Sequence, residues 1–287
     1  MQITILGGDE RSIRLAYLLE EDGHNVIAFA FNEDKVDPRI LSQSLEKALE
    51  KSKLVIGPIP LTHDNVLLNT PLYSEKVPLE EIFYKMMPNQ IFIGGKISEE
   101  VYKLAKSQDI KAIDLMDREE LSVLNGIPTA EGAIQVAMEE MDIVLHGANG
   151  LVLGFGRMGK ILAKKLQGLD VNVYVAARKV KDLAWIESYG YTPVNLVDLK
   201  DYLKNMDVIF NTIPTMILDE EMLLDINNDS LIVDIASVPG GVDFEKAKEL
   251  NLKSIWALGL PGKVAAKTAA IIIKNTIINI IEELGVI

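Results

Sequence analysis

The sequence predicts an α/β protein with two Rossmann-like domains, each a doubly wound parallel sheet, and a cleft between them. Three observations support this prediction. Apolar runs of strand length alternate with helical patterns, a GxGxxG turn at residues 154–159 joins a strand pattern to a helix pattern, and a Gly–Pro interruption at residues 125–128 divides the alternation into two sets. Such alternation is typical of parallel sheets covered on both faces, and 287 residues are enough for two ordinary domains.

The first domain is predicted to span residues 1–127. Its apolar strand patterns are Gln2–Leu6, Asn25–Phe29, Lys53–Ile56, Ile91–Ile93 and Ala112–Leu115. The helical patterns between them include Ser12–Glu21, Leu41–Lys51 and Glu99–Ser107. We expect a final apolar helix, within residues 265–287, to pack back onto this domain and complete it.

The second domain is predicted to span residues 128–264. Its strand patterns are Leu151–Leu153, Val171–Ala176, Val208–Asn211, Leu231–Ile235 and Lys253–Ala257. At the join between the domains, Gly126 and Pro128 interrupt the pattern, and Thr129 follows them at the start of a helical pattern. Threonine is a favourable N-cap, so we expect the Thr129 hydroxyl at a helix N-terminus.

The glycine turn of the second domain predicts a dinucleotide site. In a strand–turn–helix the first glycine permits a tight turn, the second lets a pyrophosphate approach the backbone, and the third lets the helix pack against the strand. The residues that we expect to contact the cofactor here are Gly154, Phe155, Gly156, Arg157, Met158 and Gly159.

The end of the next strand favours NADP over NAD. An acidic residue about 20 positions after the glycines would bind the adenosine 2′-hydroxyl of NAD. This chain instead has Ala177, Arg178 and Lys179 there. A small residue followed by a guanidinium suits a 2′-phosphate.

Three later strand ends of the second domain are predicted to line the same cleft, since ligands bind outside the carboxyl ends of parallel strands. One turn, expected beside the ribose, contains Asn211, Thr212, Ile213 and Pro214. Ser237 lies among small residues that would let a nicotinamide lie against the backbone, and Lys263 closes the last strand. Each of these segments, taken alone, is also compatible with an ordinary turn.

Cations follow three strands of the first domain. Arg11, Lys96 and Arg118 would converge on one sheet edge, where they could bind a carboxylated ligand. The alternative is three solvated surface charges. The first turn, Gly7-Gly8-Asp9-Glu10, resembles a phosphate loop but lacks the third glycine and carries two acids, so a simple strand–helix turn is an equal alternative.

Composition excludes several classes of function. A formal net charge of -13 argues against nucleic-acid binding, which needs clustered Lys and Arg. With no cysteine and no His pair at metal-ligand spacing, we expect neither disulfides nor a metal site. A strand pattern begins at Gln2, and the most apolar segment, Ala269–Ile281, is too short to span a bilayer. We therefore expect a soluble cytoplasmic protein.

Seven segments together resemble the family of the dipicolinate synthase A subunit. They are GGDERSI from Gly7, DLMDREELSVLNGIPTAEGAIQVAMEE from Asp114, VLGFGRMGK from Val152, AARK from Ala176, FNTIP from Phe210, DIASVPGGVDF from Asp234 and GLPGKVAAKT from Gly259. The family's final motif has a proline and a glycine where this chain has Ala266 and Ala270, which puts the start and packing of the last helix in question.

The resemblance implies an NADP-dependent oxidation of dihydrodipicolinate, or of its hydrated tetrahydro precursor, to dipicolinate during sporulation. It also implies a partner, the flavoprotein-like B subunit of dipicolinate synthase, and the mother-cell cytoplasm as location. For a small cyclic dicarboxylate, we expect Arg118, Lys96 and Lys263 to bind the carboxylates and Thr129 to donate a hydrogen bond. The candidate base is Glu119 or His63; His63 follows the third strand pattern of the first domain.

Two other functions stay open at this point. One is a stand-alone NADP-dependent dehydrogenase acting on a hydroxy acid. The other is a non-catalytic subunit that binds NADP and shapes its partner, since no His–Asp or Lys–Asp pair stands out. A homo-oligomer is compatible with all of these.

Overall fold

The computed structural model describes residues 1–286, which divide into two compact units. Unit 1 consists of Met1–Leu124 and the C-terminal segment that begins at Ala265, and unit 2 consists of Asn125–Val264. The boundary predicted from the sequence lies three residues later, between residues 127 and 128. Within residues 1–286, no helix is both long and apolar enough to cross a membrane.

Unit 1 contains a five-stranded parallel sheet with the order β2-β1-β3-β4-β5. Its strands are β1 (Gln2–Leu6), β2 (Asn25–Phe29), β3 (Leu54–Ile56), β4 (Ile91–Gly94) and β5 (Lys111–Asp114). Its helices before the boundary are α1 (Glu10–Glu21), α2 (Leu45–Leu49), α3 (Leu79–Lys85) and α4 (Glu99–Ser107). Side chains of Asp9, Ser44 and Ser98 cap α1, α2 and α4 by accepting from backbone N–H groups, which fixes where these helices begin.

The C-terminal helix, α12 (Ala266–Glu283), packs on unit 1 as expected. Its buried isoleucines, among them Ile273 and Ile277, share one apolar core with Leu15 and Leu19 of α1. An ion pair between Lys274 and Asp22, with Nζ 2.6 Å from Oδ2, joins the same two helices.

Unit 2 contains a six-stranded parallel sheet with the order β11-β10-β9-β6-β7-β8, which is the dinucleotide-binding Rossmann order. Its strands are β6 (Asn149–Leu153), β7 (Asn172–Ala177), β8 (Thr192–Asn195), β9 (Val208–Asn211), β10 (Leu231–Asp234) and β11 (Lys253–Trp256). The helix α5 (Glu119–Glu140) crosses the boundary between the units. The helices of unit 2 that follow it are α6 (Arg157–Gln167), α7 (Val180–Ser188), α8 (Leu199–Leu203), α9 (Glu220–Leu223), α10 (Phe244–Glu249) and α11 (Leu260–Val264). The apolar pattern does not predict β8, an edge strand in which Pro193 is tolerated because only one side of the strand is paired.

One prediction about the join is wrong. The helix α5 (Glu119–Glu140) runs without a break through Gly126 and Pro128, so no loop separates the predicted domains there. Thr129 is therefore an interior helical residue and not an N-cap. Its Oγ1 donates to the carbonyl of Asn125, 2.7 Å away, which occupies the hydroxyl proton that was expected for a ligand.

Candidate dinucleotide-binding site

The glycine turn of unit 2 lies between the end of β6 and the start of α6. Gly154 has φ +100°, a backbone conformation that favours glycine. A Cβ on Gly159 would collide with the carbonyl oxygen of Gly154, so this position holds the helix against the strand. By contrast, a Cβ on Gly156 would meet no atom of the described chain within 4 Å. The turn is tight on its protein side and open at the position where a phosphate would approach.

The N-terminus of α6 has the chemistry of an anion site. Its N-cap is Gly156, which has no side chain to accept from the first-turn N–H groups. The first turn also carries no acidic residue. Unpaired N–H groups and the positive end of the helix dipole favour a bound phosphate, so these residues fit a dinucleotide.

The side chains of this turn differ in their surroundings. Phe155 is buried in the core of unit 2, with the Lys160 ammonium 5.2 Å from its ring centre, so only its backbone can face a ligand. Met158 is half-buried against the same core, whereas Arg157 is exposed. Of the predicted set, the glycines and the first-turn backbone are the groups available for phosphates.

The end of β7 presents two exposed cations. Ala177 is the last, buried residue of the strand, and Arg178 and Lys179 follow it directly. Lys179 is the N-cap of α7, and its side chain makes no capping bond with the residues that the structure describes. Neither cation forms an ion pair within residues 1–286. A guanidinium at this place can bind a 2′-phosphate.

The turn after β9 is shaped by its own side chains. Asn211 is fully buried, donates from Nδ2 to the carbonyl of Ile213 at 3.0 Å and accepts at Oδ1 from the Ile213 N–H. The Thr212 hydroxyl donates to the carbonyl of Leu153 at 2.7 Å. Ile213 is half-buried and Pro214 is exposed. Asn211 and Thr212 were expected to bind the cofactor, but their side chains instead hold the turn in place, which leaves the turn's surface for contact.

A buried carboxylate that the sequence analysis missed organises the turn after β10. Asp234 is fully buried, and its Oδ1 accepts from the Asn211 amide at 2.9 Å and from the Ala236 N–H at 2.8 Å. Its Oδ2 accepts from the Gly241 N–H at 2.8 Å. The exposed Ser237 lies inside the loop that these bonds close. The signal was an acid as the last residue of an apolar strand, where it can reach the N–H groups of the following turn.

Arg118 is used inside unit 1. Its guanidinium donates to Glu120, and to both carboxylate oxygens of Glu283 at 2.7 and 2.6 Å. The hydrogen bonds from Arg118 lower the pKa of both Glu283 and Glu120 below the usual range of a glutamate. Arg118 was expected to bind a substrate carboxylate or to be a solvated surface charge; in the structure its guanidinium instead binds two protein carboxylates and joins the residue before α5 to α12.

The other cations predicted for unit 1 are not equivalent. Arg11 forms a bidentate pair with the Asp9 carboxylate, with Nη2 2.9 Å from Oδ2, and donates to the carbonyl of Ile59. Lys96 is exposed with φ +60°, and its backbone N–H donates to Asp114 at 2.9 Å. Within the described chain, Lys96 alone of the three predicted cations has a side chain without a carboxylate partner.

The remaining candidates are exposed. Lys263 is in α11, Glu119 begins α5 and His63 lies in the loop after β3.

The structure brings the glycine turn, the end of β7 and the turns after β9 and β10 to the carboxyl edge of one sheet, as parallel strands require.

Unit 2 resembles the dinucleotide-binding domains of dehydrogenases. The family model Shikimate / quinate 5-dehydrogenase matches residues 135–258, the greater part of unit 2. A transhydrogenase from Sinorhizobium meliloti has the same fold, with a TM-score of 0.72 at 13% identity over 98% of this chain and 94% of that one. The fold and site define a Rossmann-type oxidoreductase, and the matching dehydrogenase model implies a nicotinamide nucleotide.

The family is set by matches to the whole chain. The family model for the N-terminal domain of the dipicolinate synthase A subunit matches residues 2–116. The A subunit of dipicolinate synthase from Bacillus subtilis is 32% identical over 99% of this chain and 97% of its own length. Crystal structures of the dipicolinate synthase A subunits from Bacillus halodurans (28% identity, 97% of both chains) and Bacillus subtilis (30% identity, 100% of this chain and 97% of that one) each superpose on this chain with a TM-score of 0.88. The chain belongs to the family of the dipicolinate synthase A subunit.

Proposed function

We propose that this chain oxidises dihydrodipicolinate, or its hydrated tetrahydro precursor, to dipicolinate with NADP, as the A subunit of a two-subunit synthase. The observation that carries the proposal is the open glycine turn at the uncapped α6 N-terminus, followed one strand later by Arg178. A dinucleotide needs the first feature, and discrimination in favour of NADP needs the second.

When bound, NADP would accept a hydride from a carbon of the substrate ring. The ring must also lose a proton to become aromatic, and the hydrated precursor must lose water as well. Because aromatisation makes the product stable, orienting the ring contributes more than a strong acid–base pair would. This agrees with the engagement of Asp234 in backbone hydrogen bonds, since that buried carboxylate is not available as a base.

The protein's own residues are assigned as follows in this proposal. The Gly154–Gly159 backbone binds the pyrophosphate and Arg178 the 2′-phosphate. The loop that Asp234 holds, including Ser237, lies beside the nicotinamide. Lys96 and Lys263 are the cations that bind the substrate carboxylates, because both are exposed and neither forms an ion pair in the part of the chain described. Glu119 or His63 accepts the proton.

The resemblance also motivates the biological setting that we propose. The partner is the flavoprotein-like B subunit, and the activity belongs to the mother-cell cytoplasm of a sporulating bacterium. Membership in a family of synthase subunits implies that a second, different polypeptide completes the enzyme, and the family match supports that much.

Turnover assays test the function. The cyclic product of dihydrodipicolinate synthase is supplied with NADP to this chain alone, to the flavoprotein-like partner alone and to both together, and dipicolinate and NADPH are measured. We expect NADPH only where this chain is present. Equal turnover without the partner, and on a simple hydroxy acid, would make it a stand-alone dehydrogenase. Dinucleotide binding without any NADPH in the three mixtures would make it a non-catalytic binding subunit.

A further inference from the structure

The basic residues of this acidic protein are concentrated in one segment. Residues 157–181 contain seven Lys and Arg residues and a single acid, Asp170, and the rest of α7 adds the acids Asp182 and Glu187, although the whole chain has a net charge of -13. In the structure this segment forms α6, β7 and the start of α7. Arg157, Arg178 and Lys179 lie at the proposed dinucleotide site, but Lys160, Lys164 and Lys165 lie further along α6, and Lys181 lies in α7. They form a positive surface that the proposed cofactor does not require.

An open groove of about 460 Å³ lies within this positive surface. One wall is a face of α6 with Lys160, Lys164 and Gln167, and the opposite wall is formed by Tyr189 and Tyr191 after α7. The groove has an apolar, aromatic lining with ammonium groups at its edge. A bulky apolar side chain that is flanked by carboxylates matches this combination.

The lysines of the groove are available for a partner. Lys165, the next residue on α6, forms an ion pair with Glu131, with Nζ 2.6 Å from Oε1. In contrast, neither Lys160 nor Lys164 has a carboxylate partner in the described chain, and the Lys160 ammonium lies over the Phe155 ring. The positive charges of Lys160 and Lys164 are therefore not neutralised within the chain and can attract carboxylates of a partner.

The apolar surface continues outside the groove. Val180 is 80% exposed, Trp185 56% and Tyr189 50%, and the Trp185 and Tyr189 rings lie 5.7 Å apart. Exposed Trp and Tyr beside cations are the residue types that are enriched at the centres of protein–protein interfaces. A small anion would fill the groove and leave Trp185 and Val180 in water, whereas a polypeptide would cover them all.

We propose that this α6–α7 surface, defined by Lys160, Lys164, Val180, Trp185 and Tyr189, is the docking site for the flavoprotein-like partner. The docking segment is acidic and carries an aromatic or branched apolar side chain that enters the groove. The assignment of the partner rests on the two-subunit synthase proposed above, while the position and chemistry of the surface rest on the contacts just given.

The test measures binding of the purified flavoprotein-like partner to the full chain by titration calorimetry. In the double variant Lys164→Glu/Trp185→Ala, we expect at least a roughly tenfold weaker Kd, because one attraction becomes a repulsion and a central apolar contact is lost. Binding by the wild type should also weaken as salt is raised. The matched control is Lys248→Glu/Leu224→Ala, which changes an exposed lysine and an exposed leucine (62%) elsewhere on unit 2 and should bind the partner normally.

The possible failures are distinguishable. Melting curves and an NADP titration are the controls that would show whether both double variants are folded and keep the cofactor site. If wild type binds the partner and the Lys164/Trp185 variant binds it equally well, the docking surface is wrong and the proposed function stands. If wild type does not bind the partner, both the surface and the proposed two-subunit assembly are wrong. If the variant loses only the binding of added dipicolinate or phosphate, the groove is a small-anion site and the docking proposal is overturned.

Discussion

Each unit contains a parallel strand that passes through a glycine turn into a helix, β1 into α1 in unit 1 and β6 into α6 in unit 2, yet the two helix N-termini are chemically opposite. In unit 1 the Asp9 carboxylate caps α1 and accepts from the Arg11 N–H at 3.0 Å, and Glu10 adds a second acid to the first turn. The Gly8 N–H donates to the carbonyl of Asn69, 3.0 Å away. The groups that could hold a phosphate are already used within the chain.

In unit 2 the corresponding groups are left for a ligand. Gly156 is the N-cap of α6, its first turn lacks acids, and no side chain among residues 1–286 caps it. The glycines alone do not distinguish the two turns, since Gly8 and Gly154 have φ values of +98° and +100°. The residue after the turn, an acid in unit 1 and a glycine in unit 2, therefore decides between a structural turn and a phosphate site.

The largest effect is expected from the third glycine of unit 2. Gly159→Ala places a methyl group against the Gly154 carbonyl, so α6 must move away from the strand. We expect a destabilisation of about 1–3 kcal/mol and loss of measurable dinucleotide binding. Gly156→Ala has space for its methyl group within the described chain, so this variant should melt like wild type. It should nevertheless bind the dinucleotide more weakly than wild type does, because the methyl group occupies the position where the pyrophosphate would approach. Melting curves and dinucleotide titrations compare the two variants, and normal affinity in Gly156→Ala would place the pyrophosphate elsewhere.

A second comparison uses the buried carboxylates that both units place at a strand end. Asp114 accepts from the N–H groups of Lys96, Ile97 and Met116 in unit 1, much as Asp234 accepts from those of Ala236 and Gly241 in unit 2. An asparagine at either position turns an amide NH₂ toward a backbone donor. Each substitution should therefore cost about 2–3 kcal/mol of stability.

Only one of these two variants should affect the cofactor. We expect Asp234→Asn to weaken dinucleotide binding, since its loop lies at the proposed nicotinamide position, and Asp114→Asn to leave binding unchanged. Urea unfolding and dinucleotide titration of both variants check this. Equal losses of affinity would mean that the effect is one of stability alone.

Arg178 tests cofactor choice with an effect of intermediate size. Arg178→Ala removes a charged hydrogen bond to the 2′-phosphate, so NADP should bind about 1.5–3 kcal/mol more weakly, on the order of ten- to a hundredfold, and NAD much less. Lys200→Ala is a suitable control, because Lys200 is paired with Glu221 on another helix. Titration of both dinucleotides would contradict the assignment if wild type bound NAD as tightly as NADP.

The sequence predicted more of the fold than of the side-chain contacts. Every predicted strand pattern corresponds to a strand of the structure, with ends that differ by at most about two residues, because these runs are apolar and bounded by turn residues. The edge strand β8 was missed because Thr192 and Pro193 do not form an apolar run. The predicted helix start at Thr129 failed because Gly and Pro are frequent breakers, whereas α5 tolerates both in its interior.

The site was predictable where backbone geometry decides it. The glycine spacing identifies the α6 turn without knowledge of any distant residue. The roles of Arg118 and Asn211 depend on partners far along the chain, Glu283 and Asp234, which no local pattern reveals. For this reason the sequence predicts ligand contacts for Arg118 and Asn211, whereas in the structure both side chains bind carboxylates of the protein itself.

The smallest predicted effect concerns the Arg118 pairs and acid pH. The guanidinium lowers the pKa of Glu283 and of Glu120 from the ordinary value of 4.5. A carboxylate whose pKa is lower in the folded than in the unfolded state contributes stability above the unfolded value, and this contribution is lost as the pH falls through the folded value. Glu283 is exposed and Glu120 is only half-buried, so the contribution is modest and screened by salt.

We therefore expect Arg118→Ala to lower the melting temperature at neutral pH, and the difference from wild type to shrink as the pH falls below about 4.5. Arg39→Ala is the matched control, because Arg39 pairs with Asp37, its neighbour two residues away, and joins no distant elements. Its melting temperature should stay close to that of wild type throughout the titration. Dinucleotide affinity should be unchanged in both variants. If Arg118→Ala instead melts like wild type at every pH but raises the substrate KM many-fold, then Arg118 binds a substrate carboxylate and its pairs with Glu120 and Glu283 are exchanged for that ligand.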